Sequence, residues 1–176
     1  MDIKKSLEEK YSKEGIISIR DYIGTDKQLF EELMQLFFSG EYLVAQRASW
    51  AMMHCADAYP ELIEPYLKSI LKYLRQEGLH DSIKRNSMRI MEKIDLSDEL
   101  LGDAADIAFQ YLAEPNEAVA IRVFSMGLIW NICQKEPDLR HELKLLIEEY
   151  LPYGSAGFKS RGKKILTAMQ KQFGDQ

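Results

Sequence analysis

The sequence predicts an all-α fold, a solenoid of about four helical hairpins behind an N-terminal helical cap. Three observations carry that reading. Apolar residues recur with the helical period along the whole chain and with the alternating strand period nowhere. The prolines, together with Gly40, Gly78 and Gly154, fall between the periodic segments, where turns are needed. Arginines recur near the starts of alternate helices, at Arg47, Arg85, Arg122 and Arg161, spaced by 38, 37 and 39 residues.

Taken in order, a charged N-terminal helix is expected over 3–12, and residues 1–13 lack the apolar core of a secretory leader. Helices follow over 14–23 and 26–38; Asp26 supplies a capping oxygen, and Leu29, Leu33, Leu36 and Phe37 line one face. Residues 41–58 carry the stripe Val44, Ala48, Ala51 and Cys55. A helix over 62–77 tolerates Pro65 in its first turn and buries Tyr66, Ile70, Leu71 and Leu74. The helix over 80–94 has its stripe (Ile83, Ser87, Ile90, Ile94) one residue out of phase, which makes Lys84 the equivalent basic position. Ser97 opens 98–113, Val119, Val123, Met126 and Trp130 mark 116–135, and Asp138 opens 137–150. Phe158, Gly162, Ile165 and Met169 mark the last helix, over 157–173, while Pro60, Pro137 and Pro152 punctuate. No linker interrupts the series, so residues 1–176 are expected to form one domain. Its parts are a cap over 1–25 and repeats over about 26–60, 61–96, 97–136 and 137–176.

The repeated openings are Val44-Ala-Gln-Arg47, Ile83-Lys-Arg85, Val119-Ala-Ile-Arg122 and Phe158-Lys-Ser-Arg161. Over about residues 26–173 they resemble the HEAT-like helical repeats of the armadillo-type superfamily, whose second helices open on a valine–arginine signature. The regular turn aspartate of better-marked HEAT repeats is missing. The chain is also similar to a group of uncharacterised bacterial HEAT-like proteins, a likeness that implies no activity. The resemblance implies a right-handed α–α superhelix whose second helices line a concave surface. Stacking is also a physical necessity, since one helical pair cannot bury its apolar side alone.

Composition narrows the function. With 46% hydrophobic and 29% charged residues the chain is globular rather than disordered. Twenty-eight acids against twenty-three bases give −5, which disfavours a generally basic nucleic-acid binder. Cys55 and Cys133 cannot alone build a disulfide scaffold or a zinc site, and are expected as small core residues. Apolar runs fall short of the roughly 18 residues of a membrane span. A cytoplasmic location with no membrane partner is the expectation.

No catalytic, metal or cofactor signature emerges. Gly157-x4-Gly162-Lys163 copies part of a phosphate-binding loop, but Lys164 replaces the magnesium-holding hydroxyl and no strand precedes it. His141-Glu142 begins like a zinc-protease helix, yet Leu145 stands where the second histidine belongs. Charge is segregated: Lys159 to Lys171 holds five bases and no acid, whereas Asp98, Glu99, Asp103, Asp106 and Glu114 gather earlier. The expected function is therefore a non-enzymatic scaffold binding a protein or acidic peptide. Its candidate contact residues are Arg47, Trp50, Arg85, Arg89, Arg122, Lys159, Arg161, Lys163 and Lys164. The arginines have a competing structural role, tying repeats together through helix-end carbonyls. The functional alternative is a DNA-binding or alkylpurine-glycosylase-like protein. It would contact phosphates through Lys159, Arg161, Lys163 and Lys164, with Trp50 stacking on a base and Asp57 the acid nearest along that helix.

Overall fold

The computed structural model describes residues 1–9, 12–39 and 41–174, and these hold ten α-helices and no strand. In order they are α1 (Ile3–Glu9), α2 (Lys13–Ile23), α3 (Lys27–Phe38), α4 (Tyr42–Ala58) and α5 (Leu67–Leu74). Then come α6 (Asp81–Lys93), α7 (Asp98–Ala113), α8 (Val119–Ile132), α9 (Arg140–Tyr150) and α10 (Ala156–Phe173). Gly40 and the expected continuation of the first helix through residues 10 and 11 lie outside the described residues.

The start signals act unequally. Asp26 caps α3, its carboxylate accepting from the backbone N–H groups of Gln28 (2.8 Å) and Leu29 (3.1 Å). Ser12 does the same for α2 and Ser155 for α10, accepting from Gly15 and Phe158. Ser97 stands at the extended cap position of α7 without a side-chain cap bond. Asp138 is not a cap at all: it lies inside a 3₁₀ turn, Pro137–Leu139, and α9 begins after it. The helix expected from residue 62 likewise starts late. Two 3₁₀ turns, Pro60–Leu62 and Glu64–Tyr66, precede α5. Pro65 has no N–H to donate and disfavours the α conformation in the residue before it, so regular helix waits until Leu67.

Two compact units emerge, Met1–Ile90 and Met91–Gln176, with the boundary inside α6. In the first, α4 is the central element and packs against α1, α2 and α3. That role requires a helix buried on most sides. Its small and apolar residues, Ala45, Ala48, Ala51, Met52 and Cys55 among them, supply it. Around it Phe30, Leu33, Phe37, Ile16 and Ile19 are almost fully buried, each contributing about 1.5–3 kcal/mol. Phe37, Phe38 and Tyr73 form an edge-to-face cluster with centroids 4.9 to 5.4 Å apart. Polar bonds thread this packing as well: the Asn86 amide donates to Ser49 Oγ at 3.0 Å and ties α6 to α4.

In the second unit α8 holds the central place, packed against α7, α9 and α10. The final stripe behaves as its spacing predicts: Phe158, Gly162, Ile165 and Met169 are the buried residues of α10. Gly162 is there because the helices touch. A Cβ at that position would lie 2.9 Å from Ile147 Cγ2 and 3.2 Å from Leu151 Cδ1.

Asp26→Ala is expected to lower stability by about 1 kcal/mol through loss of two capping bonds, measured by urea denaturation. An unchanged midpoint would mean that the cap is dispensable.

Candidate binding surfaces

The recurrent basic residues meet different fates. On α4 the Arg47 guanidinium donates to the carbonyls of Leu7 (2.6 Å) and Glu8 (2.8 Å), near the C-terminal end of α1. On α8 Arg122 is only 8% exposed. It donates twice to the Leu112 carbonyl, at 3.0 and 2.8 Å, near the end of α7. Its carbon centre lies 4.3 Å from the Tyr150 ring centroid and 4.8 Å from that of Phe158. Burial lowers its pKa, against the opposing pull of Tyr150 and Glu114. Orphan helix-end carbonyls and a planar five-donor fork suit one another, which is why arginine recurs at these positions.

Arg161, on α10, pairs with Glu92 near the end of α6. Gly127 of α8 makes room for that pair, since a Cβ there would collide with the Glu92 carboxylate and the Arg161 guanidinium. Neither Glu92 nor Gly127 stands out in the repeat pattern. A signal was nonetheless present: glycine inside an otherwise apolar helix costs about 1 kcal/mol relative to alanine, so it marks a close approach. In the remaining repeat Lys84 takes the inward position, as the one-residue phase shift predicts. Its side chain is 17% exposed and lies 3.5 Å from Asp81. Arg85 is exposed instead.

The other candidates divide similarly. Arg89 pairs with Asp57 at 2.9 Å and also donates to the Met53 sulfur. Trp50 is half-buried with its ring tilted against His54, 6.0 Å between centroids. Burial lowers the His54 pKa; Asp57 opposes that shift, while Arg20, Arg89 and Lys13 add to it. Lys159 is half-buried, and Lys163 and Lys164 are exposed. Among the described residues neither Lys163 nor Lys164 has an ion pair. Burial pushes the Cys55 thiol up to about 12 and the Cys133 thiol up to about 11, so neither is a thiolate near neutrality.

Two concavities lie within the second unit. A cleft of about 500 Å³ opens between α9 and α10, floored by Leu166, Met169 and Phe173, with Arg140, Lys144 and Glu148 on its rim. A smaller one, about 230 Å³, lies between the end of α6 and α8. Neither concentrates perturbed acids or bases. The segment from Gly157 to Lys164 is helical, so its glycines do not form a phosphate-cradling loop. Among the described residues no group of three or more His, Cys, Asp or Glu gathers at metal-binding distance.

A family model described as a HEAT repeat domain matches residues 3–169, which takes in α1 and α2 as well as the four recurrent openings. No curated protein and no solved structure matches the chain.

Arg122→Ala is expected to cost about 2–4 kcal/mol, because it strands a buried carbonyl and empties the space beside two rings. Arg122→Lys should recover less than half, since an ammonium cannot span the same acceptor and both faces. Chemical denaturation reads both, and a neutral Arg122→Ala would contradict the tie.

His54 carries a pH signature. Its folded pKa lies below the unfolded value of about 6.5, so the unfolded chain binds the proton more tightly. Its contribution is complete above that value and is lost as pH falls toward the folded pKa. His54→Gln should therefore flatten the wild-type decline in stability as pH falls below about 6.5, followed by denaturation midpoints on either side of that value. Parallel curves for the two proteins would refute the assignment.

Proposed function

Since the chain belongs to the HEAT repeat family, we propose that it is a non-enzymatic scaffold binding a protein or peptide partner through exposed second-helix side chains. Helical repeats of this family commonly mediate protein interactions, and a rigid array brings preorganisation to such an encounter. The observation that carries the proposal is the sorting of the bases. Arg47, Arg122 and Arg161 are held by internal acceptors, whereas Arg85 in the first unit and Lys163 and Lys164 in the second are exposed. Exposed cations with no internal role favour an acidic segment of a partner. They steer encounter and select orientation more than they supply affinity. No helix among the described residues is long and apolar enough to cross a membrane.

Affinity capture from a source lysate tests the proposal with wild type, Arg85→Glu and Lys163→Glu/Lys164→Glu proteins. At least one charge-reversed variant should lose partners that wild type retains at moderate salt. Identical partner sets for all three proteins would sink the proposal. A duplex oligonucleotide held at low salt and released steeply as salt rises would favour the DNA alternative instead.

A further inference from the structure

The cleft between α9 and α10 is bordered by an arginine held in place on one side and uncommitted on the other. Trp130 of α8 meets the Phe173 ring edge-to-face, with centroids 6.3 Å apart. On that ring lies the Arg140 guanidinium, its carbon centre 3.7 Å from the Phe173 centroid. Arg140 Nε donates to the Pro137 carbonyl at 2.7 Å. One face and one donor are thereby used, while the two Nη groups have no acceptor among the described residues. Arg122 differs in kind, since its fork ends on Leu112 and two rings cover it.

The two helices run antiparallel along the cleft. Arg140 meets Phe173 at one end, and Gly162 approaches Ile147 and Leu151 toward the other. Lys144 lies one turn beyond Arg140 and Met169 one turn before Phe173, so these two stand level. By the same register Glu148 stands level with Leu166. The wall on the α9 side thus reads Asp138, then Arg140, His141 and Lys144, then Glu148. Its basic middle borders the Met169 and Phe173 part of the floor, and its acids lie at the ends. Lys144 is exposed and makes no ion pair among the described residues. Leu166 to Phe173 spans seven positions, about 10.5 Å at helical rise or two turns of a ligand helix. The volume of about 500 Å³ is that of a binding cleft.

We infer that this cleft docks an amphipathic helix of a protein partner, its apolar stripe on the floor and a carboxylate flanking that stripe. This rests on the scaffold reading above and names the site and the chemistry of its occupant. The apolar side chains cover Leu166, Met169 and Phe173, and the carboxylate takes the Arg140 Nη groups and the Lys144 ammonium. A guanidinium already stacked on Phe173 and tied to Pro137 loses little freedom when the carboxylate arrives. Glu148 at one end and Asp138 at the other repel further acids, which fixes where along the cleft the carboxylate sits. Acids and bases in succession along an open wall suit the several side chains of a peptide better than a single small headgroup.

Tryptophan fluorescence of the full chain tests this in a Trp50→Phe background, which leaves Trp130 as the sole tryptophan. The probe is a synthetic amphipathic helix of leucine, alanine and glutamate, and its counterpart with lysine for glutamate is the control. The glutamate peptide should bind saturably and shift the Trp130 emission, because that ring touches Phe173 at the edge of the floor. Lys144→Glu and Leu166→Glu should each weaken binding about fivefold or more while keeping wild-type circular dichroism. Arg140→Glu/Lys144→Glu should prefer the lysine peptide, a reversal that a merely structural role for these residues does not predict. Should the Arg140 variant misfold, Lys144→Glu at its exposed position decides alone. No saturable binding, equal affinity for the two peptides, or full affinity in Lys144→Glu would each overturn the inference. Lysate partners kept by Lys144→Glu but lost by Arg85→Glu or Lys163→Glu/Lys164→Glu would leave the scaffold reading standing and remove only this one.

Discussion

Polar contacts at a separation of one repeat hold the hairpins in register. Arg47 reaches carbonyls 40 and 39 residues earlier, at Leu7 and Glu8. The Asn86 amide reaches Ser49, 37 residues back. Asn131 donates to the Glu92 carbonyl and Lys135 to that of Leu96, each 39 residues away. The Tyr150 hydroxyl donates to Ala113 at a separation of 37, and Gln172 to Gln134 at 38. Apolar burial draws the hairpins together without dictating their relative height, because it is non-directional. Hydrogen bonds are directional, and several of these end on carbonyls at or just past helix ends, which need donors in any case. The near-forty-residue period in the sequence is thus the imprint of one helix reaching back to the corresponding part of the preceding repeat.

This constraint explains why the most conspicuous residues of the repeat are poor candidates for recognition. An arginine that satisfies buried carbonyls and lies against two rings, as Arg122 does, has committed its donors and both faces. Removing it would leave the acceptor unpaired in a medium of low dielectric, where such a group is costly. The bases that the register does not need stay at the surface. Lys84 and Arg85 illustrate the division within two neighbouring residues: one side chain is mostly covered beside Asp81, and the other is exposed. A one-residue shift turns a helical side chain by about 100°, enough to exchange a structural role for a surface one.

The helices also differ in how much of their circumference they must hide. The central ones, α4 and α8, pack against several neighbours and bury residues on most sides. By contrast α9 buries only Leu143 and Ile147, and α7 and α10 keep charged faces toward solvent. Small residues permit the closest approaches. Gly162 admits Ile147 and Leu151, while Gly127 admits the Glu92–Arg161 pair. The second unit therefore combines a tightly constrained interior with two charged outer helix faces of opposite sign.

Much of this was legible without coordinates. Period and punctuation located the helices to within a few residues, because the apolar spacing that identifies a helix is the same spacing that buries it. Asp26 was readable as a cap since its bonds reach only two and three residues along the chain. The stripe of α10 and the phase shift at Lys84 were readable for the same local reason. What the tertiary structure alone decided lies at long range. It passed over Asp138 as a cap, directed Arg161 to Glu92 across 69 residues, and left Lys163 and Lys164 outside. A sequence fixes which side of its own helix each residue occupies, whereas the acceptor waiting there belongs to another helix and becomes known only when the two are packed together.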